Sequence, residues 1–328
     1  MNKTSLQFLC IVSALVLQQA DKSVAQYAPL KTTFEAEVVD KSFTYGPTNR
    51  SVPLRIYLPK TGAPNPVVLF SHGLGGSREA SPFLGQHWSE RGYCVVFMQH
   101  AGSDRDVMKN AAGLQRLSAL RNAINSESVK DRNNDVRATI DKLEELALRR
   151  GQFCGRLDLD RVGMSGHSFG AITTQAVSGQ SYGLQGQTYT DSRIKAAIAL
   201  SPSMPSLGGT SKAFASVKIP WLLMTGTDDN SPVNRRVDAK SRREVFKSLP
   251  TAGHSFELVL NEGTHFIFGG RSDRRLTAQK PKQQQESIKA ISTAFWDAYL
   301  RKDPAALSWL KGDEAKAVLD NRDTWSTK

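Results

Sequence analysis

Gly166-His167-Ser168-Phe169-Gly170 closes the run Arg161-Val162-Gly163-Met164-Ser165 and precedes Ala171-Ile172-Thr173-Thr174-Gln175-Ala176-Val177. This order predicts strand, sharp turn, helix. A serine at the apex of such a turn has its hydroxyl pushed clear of the sheet edge, where a base can reach it. The flanking glycines are needed because strand and helix approach too closely for side chains. The pentapeptide alone arises by chance roughly once in ten chains of this length. Its place between a strand-like run and a helix-like run makes Ser168 a candidate nucleophile.

Outward from this stretch, the chain reads as alternating strands and helices. Strands are expected at Val38–Tyr45, Val52–Leu58, Val67–Ser71, Tyr93–Gln99, Arg161–Ser165, Ala196–Leu200, Trp221–Thr225 and Phe256–Leu260. Most are continuous apolar runs, as in strands covered on both faces. The first two alternate and flank Gly46-Pro47-Thr48-Asn49-Arg50, which predicts a hairpin. Helices are expected at Ala80–Glu90, at Asn134–Arg149 through Val136, Ile140, Leu143 and Leu146, and at Ser287–Leu300, which should close the fold. The expected architecture is therefore α/β: one domain over residues 26–328, with an eight-stranded, mostly parallel sheet, an antiparallel edge and helices on both faces. Ala101–Asn133 and Ser178–Asp191 look like additions, either walls of a ligand site or surface insertions. Tyr182, Leu184 and Tyr189 would be the wall residues of the second.

The 328 residues suffice for one large domain, and 39% apolar and 23% charged residues place the chain among globular proteins. Residues 1–25 read as a signal peptide. Lys3 is followed by an apolar run from Leu6 to Leu17, and Ser23-Val24-Ala25 offers small residues for cleavage after Ala25, with Ala20 as the alternative site and an uncleaved anchor as the alternative reading. Export to the periplasm or beyond is the expectation. The formal charge of +12 becomes +11 once Lys3, Lys22 and Asp21 leave with that segment. Pairs such as Arg149-Arg150, Arg235-Arg236 and Arg242-Arg243 are spread along the chain without any nucleic-acid-binding signature. They read as a solvated basic surface, suited at most to peripheral contact with anionic polymers or membranes. Cys94 and Cys154 remain to pair in an oxidising compartment, or Cys94 is a small core residue. No cysteine or histidine spacing suits a metal. The oligomeric state is not encoded in any readable pattern.

A serine hydroxyl needs a base, usually histidine, and the imidazole needs a carboxylate to hold its tautomer. Pro220-Trp221-Leu222-Leu223-Met224-Thr225 runs into Gly226-Thr227-Asp228-Asp229, an apolar strand ending in an acidic turn. Phe256-Glu257-Leu258-Val259-Leu260 runs into Asn261-Glu262-Gly263-Thr264-His265. The chain order Ser168, Asp229, His265 follows, with Asp228 as the alternative acid. Among the other histidines, His254 precedes the last strand and lies at its wrong end, His87 and His100 read as surface or supporting residues, and His167 flanks the nucleophile. Oxyanion donors are expected from the amide of Phe169 and, in Ser71-His72-Gly73-Leu74-Gly75-Gly76, from the amide of Leu74. His72 would hold that loop through main-chain hydrogen bonds.

These residues resemble the α/β-hydrolase superfamily. More narrowly they are similar to secreted platelet-activating-factor acetylhydrolases and to bacterial predicted dienelactone hydrolases. The matching pieces are Phe70-Ser71-His72-Gly73-Leu74-Gly75, Gln99-His100-Ala101-Gly102-Ser103, Asp135-Val136-Arg137, Gly166-His167-Ser168-Phe169-Gly170 and Gly263-Thr264-His265. The resemblance implies a serine esterase that uses neither metal nor cofactor, and supports the Leu74 and Phe169 amides. The sequence departs from it twice. Leu200-Ser201-Pro202 has a serine where the animal acetylhydrolases carry their acid, and Ser168 stands where true dienelactone hydrolases have cysteine. The expected activity is hydrolysis of a small-molecule or lipid carboxylic ester, with short acyl chains. The alternatives are acyl transfer, polyester cleavage or peptide cleavage by the same triad, or a catalytically silent binding protein on the same fold.

Overall fold

The computed structural model describes residues 26–205, 211–251, 254–270 and 279–328. The expected leader, with its cleavage sites at Ala20 and Ala25, lies outside the described residues. Nine strands form one sheet: β1 (Ala36–Tyr45), β2 (Arg50–Pro59), β3 (Asn65–Ser71), β4 (Cys94–Met98), β5 (Leu157–His167), β6 (Ile194–Leu200), β7 (Trp221–Asp228), β8 (Ser255–Thr264) and β9 (Thr324–Thr327). Their order across the sheet is β1-β2-β4-β3-β5-β6-β7-β8-β9. The five contacts from β4 through β8 are parallel, and β1, β2 and β9 run antiparallel to their neighbours. The α-helices are α1 (Pro82–Glu90), α2 (Leu114–Asn122), α3 (Ser126–Leu148), α4 (Phe169–Val177), α5 (Ala239–Arg242), α6 (Glu244–Ser248), α7 (Gln279–Tyr299), α8 (Pro304–Lys311) and α9 (Glu314–Ala317).

The apolar strands divide their side chains between two cores, because successive residues point to opposite faces. In β3, Val68 and Phe70 join Trp88, Phe295 and Trp296 on one face. Val67 and Leu69 join Val136, Ile140 and Leu143 of α3 on the other. Burial on both sides leaves no place for polar alternation and accounts for the continuous apolar runs. Trp88 Nε1 donates to Ser292 Oγ (3.0 Å), which satisfies that buried indole.

Three expectations need correction. The sheet has nine strands rather than eight. The closing helix is followed by α8, α9 and β9, the last a four-residue edge strand too short and too polar to show a period. It is held by Trp325, whose ring stacks on Phe256 at 5.6 Å and whose Nε1 donates to the Leu310 carbonyl. Helix α3 starts eight residues before the expected Asn134, where Asn125 and Ser128 form a reciprocal capping box. Its first three turns bury Arg132, Asn133 and Asp135, so a helix face facing a polar interior looked like an insertion. Cys94 and Cys154 are both free thiols, the first buried in β4 and the second exposed, so the optional disulfide does not form.

Because β3, β5, β7 and β8 run parallel, the segments that follow them leave the sheet at one end. At that end α4 crosses β3 at very short range. A Cβ on Gly170 would stand 1.9 Å from the Ser71 carbonyl oxygen, and one on Gly166 would stand 2.3 Å from the Gly170 carbonyl oxygen. Gly170→Ala therefore forces backbone against backbone and should cost about 3 kcal/mol or more. A thermal melt should show a midpoint lowered by roughly 6 °C or more, or no soluble protein. An unchanged midpoint would contradict this crossing.

Candidate active site

Strand β5 ends at His167, and Ser168 is the N-cap of α4 with φ 57° and ψ −113°. A non-glycine residue in this conformation is strained and is held there by its surroundings. The close crossing at Gly166 and Gly170 provides that restraint. The Ser168 amide donates to the Leu200 carbonyl (2.9 Å), which ties the turn to β6.

His265 follows β8, and its Nε2 lies 2.9 Å from Ser168 Oγ. Its Nδ1 lies 2.7 Å from Asp229 Oδ1, and Thr225 Oγ1 donates to Asp229 Oδ2 (2.8 Å). Asp229 is fully buried and accepts only, so Nδ1 carries the proton and Nε2 is left to accept from the serine hydroxyl. The structure thus brings together Ser168, His265 and Asp229. The alternative acid, Asp228, ends β7 with its side chain exposed and has no part in the array.

Arg242 was missed in the sequence. The Arg242-Arg243 pair looks like surface charge, but Arg242 is 2% exposed. Its Nε lies 3.0 Å from Asp229 Oδ1 and donates to the Asp229 carbonyl (2.8 Å). One of its terminal nitrogens donates to the Ser201 and Pro202 carbonyls. The other packs 3.2 Å from His265 Nδ1, which already donates to Asp229. Burial lowers Arg242 below its ordinary pKa, with Asp229 offsetting part of that. Arg243 faces the other way and pairs with Glu257.

The loop after β3 is braced from behind. His100 N donates to His72 Nε2 (3.0 Å), which places the other ring proton on Nδ1, 2.7 Å from the Gly73 carbonyl. Gly75 N donates to Ser103 O, and Arg105 N to Gly76 O. Among the described residues, the amides of Leu74 and Phe169 meet no acceptor in the chain, and both residues belong to the segments that flank Ser168. That is the state expected of donors kept for an external oxyanion.

Behind this loop lies a second serine–histidine–aspartate array that the sequence did not reveal. Ser71 Oγ is 2.9 Å from His100 Nε2, and His100 Nδ1 is 2.8 Å from Asp135 Oδ2. Its distances match those of the first. All three side chains are completely buried, and Arg132 also donates to Ser71 Oγ (3.2 Å). No substrate reaches them, so this array is a brace. Burial pushes Asp135 up, but bonds from His100 and from Arg50, which grips both carboxylate oxygens, more than offset it. Tyr45 donates to the same carboxylate (2.7 Å).

Ser168 and His265 open into a cleft of about 470 Å³. Leu74 and Phe266 line it from the loops, and Met108, Leu117 and Leu120 line it from the segment around α2. That part of Ala101–Asn133 is therefore a wall. Ser178–Asp191 is not a wall of this cleft. Tyr182 and Tyr189 line a separate cavity of about 690 Å³ beside Phe169 and Ile172, and Leu184 projects into solvent. His254 stands at the far end of β8 near Tyr299, away from the cleft. His87, in the last turn of α1, is buried and lies outside the site. No protein-family model matches this chain, and no curated protein matches it significantly.

Desolvation keeps several histidines neutral. His72 and His167 are held well below the ordinary value of 6.5, and His87 and His100 are lowered to about 4. His167 packs 4.7 Å from His265, so its neutrality spares the site a second positive charge. The unfolded chain takes up protons near 6.5 that the folded chain refuses. The stability these groups provide is complete above 6.5 and is lost as pH falls toward 4. Between pH 7 and pH 5 each should cost about 2 kcal/mol. Urea midpoints at the two pH values should differ accordingly, and equal midpoints would mean that these histidines protonate in the fold.

Asp229→Asn should slow fluorophosphonate labelling of Ser168 by about 10³- to 10⁴-fold. Asp228→Asn should label at the wild-type rate. The reverse ranking, measured by mass spectrometry of the intact protein over time, would reassign the acid.

Proposed function

We propose that this protein is an exported serine esterase of the α/β-hydrolase superfamily, similar to the acetylhydrolase and dienelactone-hydrolase-like groups. The observation that carries this reading is the placement of Ser168 Oγ 2.9 Å from His265 Nε2 at the floor of an open cleft, with Asp229 2.7 Å behind the imidazole. A nucleophile, a base of fixed tautomer and an accessible surface are the parts that acyl transfer to serine requires.

In this scheme Ser168 Oγ attacks the ester carbonyl while His265 Nε2 takes its proton. The carbonyl oxygen becomes the oxyanion and is held by the Leu74 and Phe169 amides. His265 returns the proton to the leaving alkoxide as the C–O bond breaks, leaving an acyl-enzyme on Ser168. Water then attacks the acyl carbon, giving its proton to His265, and the acid departs as Oγ is reprotonated. Asp229 stays ionised and stabilises the imidazolium. These five groups account for every proton and charge in the cycle.

The cleft walls support a small acyl group. A side chain at Gly75 would meet Leu120 at 2.8 Å, so α2 lies directly against the loop that carries Leu74 and forms a close wall on that side of the cleft. Export rests on the leader-like residues 1–25, and the net charge of +11 beyond them suits an enzyme working beside anionic surfaces.

The purified protein should hydrolyse p-nitrophenyl esters with an optimum at acetyl to butyryl and decline with longer chains. Ser168→Ala should lower kcat by about 10⁵- to 10⁶-fold with an unchanged melting curve. Retained activity in that variant would overturn the assignment. A flat profile up to long acyl chains would overturn the short-chain preference alone.

A further inference from the structure

Arg132, on the second turn of α3, is completely buried, yet among the described residues it forms no ion pair. The nearest acids are engaged elsewhere: Asp135 with Arg50 and His100, and Asp104 with Gln99. Asp135 and Asp104 attract the guanidinium from a distance but offset only part of its burial, and a buried cation without a paired carboxylate is costly where an apolar side chain of similar size would not be. Its surroundings show what the charge is placed against. Nε donates to Ser103 Oγ (2.8 Å), and one terminal nitrogen donates to the His72 carbonyl (2.8 Å) and to Ser71 Oγ (3.2 Å). The guanidinium carbon lies 4.3 Å from the centre of the Phe169 ring. The other terminal nitrogen packs 3.3 Å from His72 Nδ1, whose proton is directed to the Gly73 carbonyl.

The guanidinium is thus wedged between the two segments that supply the free amides of Leu74 and Phe169. It fixes their separation by hydrogen bonds on one side and by cation–π contact on the other. It also sets a positive charge behind the place where negative charge develops, in an interior that screens it weakly. We infer that Arg132 is a positioning residue for the oxyanion hole, which spaces its two amides and adds positive potential behind them. This rests on the serine-esterase reading above. Burial lowers Arg132 to about 9, which leaves it protonated at neutral pH.

The test compares wild type, Arg132→Met and Arg132→Lys in p-nitrophenyl butyrate hydrolysis and in fluorophosphonate labelling of Ser168. Arg132→Met should lower kcat by about 10²-fold while KM changes by less than about threefold. Arg132→Lys keeps the charge but not the fork, and should retain more activity than the methionine variant at pH 7. A buried lysine gives up its proton more readily than arginine. The groups facing it are His72 after β3, His100 after β4, Asp104, Asp135 on α3 and Arg50 on β2. His72 and His100 are already neutral, so the lysine is the group that changes charge there above pH 7. Arg132→Lys should therefore lose kcat between pH 7 and about 8 with unchanged tryptophan fluorescence, a range below the value of about 9 at which Arg132 itself would give up its proton and over which wild type keeps its activity. If Arg132→Met does not fold, this pH profile decides. Superposable profiles for wild type and Arg132→Lys, or wild-type kcat in Arg132→Met, would overturn the inference while leaving the esterase reading intact. A wild-type protein that neither hydrolyses esters nor labels at Ser168 would overturn both.

Discussion

The Ser71 carbonyl occupies the space that a side chain at residue 170 would need. This contact between the end of β3 and the start of α4 governs the rest of the site. It compels glycine at both flanks of the turn and leaves Ser168 as the residue that absorbs the strained conformation. It also sets the loop after β3 beside the first amide of α4. The nucleophile and the two free amides are therefore neighbours through main-chain packing, before any side chain acts.

Around that contact the protein has built two polar chains of similar design. One runs Ser168, His265, Asp229, Arg242, and the other Ser71, His100, Asp135, Arg50. In both, the carboxylate fixes the imidazole tautomer and an arginine shares the carboxylate's charge. They differ in access. The first ends at a cleft, and the second ends inside the protein, where its serine hydroxyl is committed to neighbours. Hydrogen-bond geometry alone does not distinguish a reactive serine from a structural one; desolvation and access do.

Much of this was legible in the sequence, and the reason is local. Central strands in a doubly covered sheet must be apolar throughout, and the turn at Ser168 must carry glycines. Asp229 and His265 sit where strands end, so chain order and strand ends were enough to select His265 and to narrow the acid to Asp228 or Asp229, between which burial and the bond to His265 decide. What stayed hidden depends on partners distant in sequence. Arg242 and Arg132 look like solvent-facing charge until Asp229 and the His72 carbonyl are placed against them. His100 became a buried support through Asp135, 35 residues away. Strand β9 exists because Phe256 offers Trp325 a surface, and four residues carry no period of their own. The capping box at Asn125 was visible as Asn-x-x-Ser, but the polar face that follows it concealed the helix.

The cleft's outer wall has a different origin from its floor. Met108, Leu117 and Leu120 belong to the stretch between β4 and α3, whereas Ser168, His265, Asp229 and the amides of Leu74 and Phe169 hang from strand ends or from α4. Arg121 reaches across to the Val233 carbonyl (3.0 Å), so this wall is latched to the far rim at an exposed point. The outer wall of the cleft and the array at its floor thus come from separate pieces of chain. Substitutions on the solvent side of α2 can reshape the mouth of the cleft while Ser168, His265 and Asp229 keep their places.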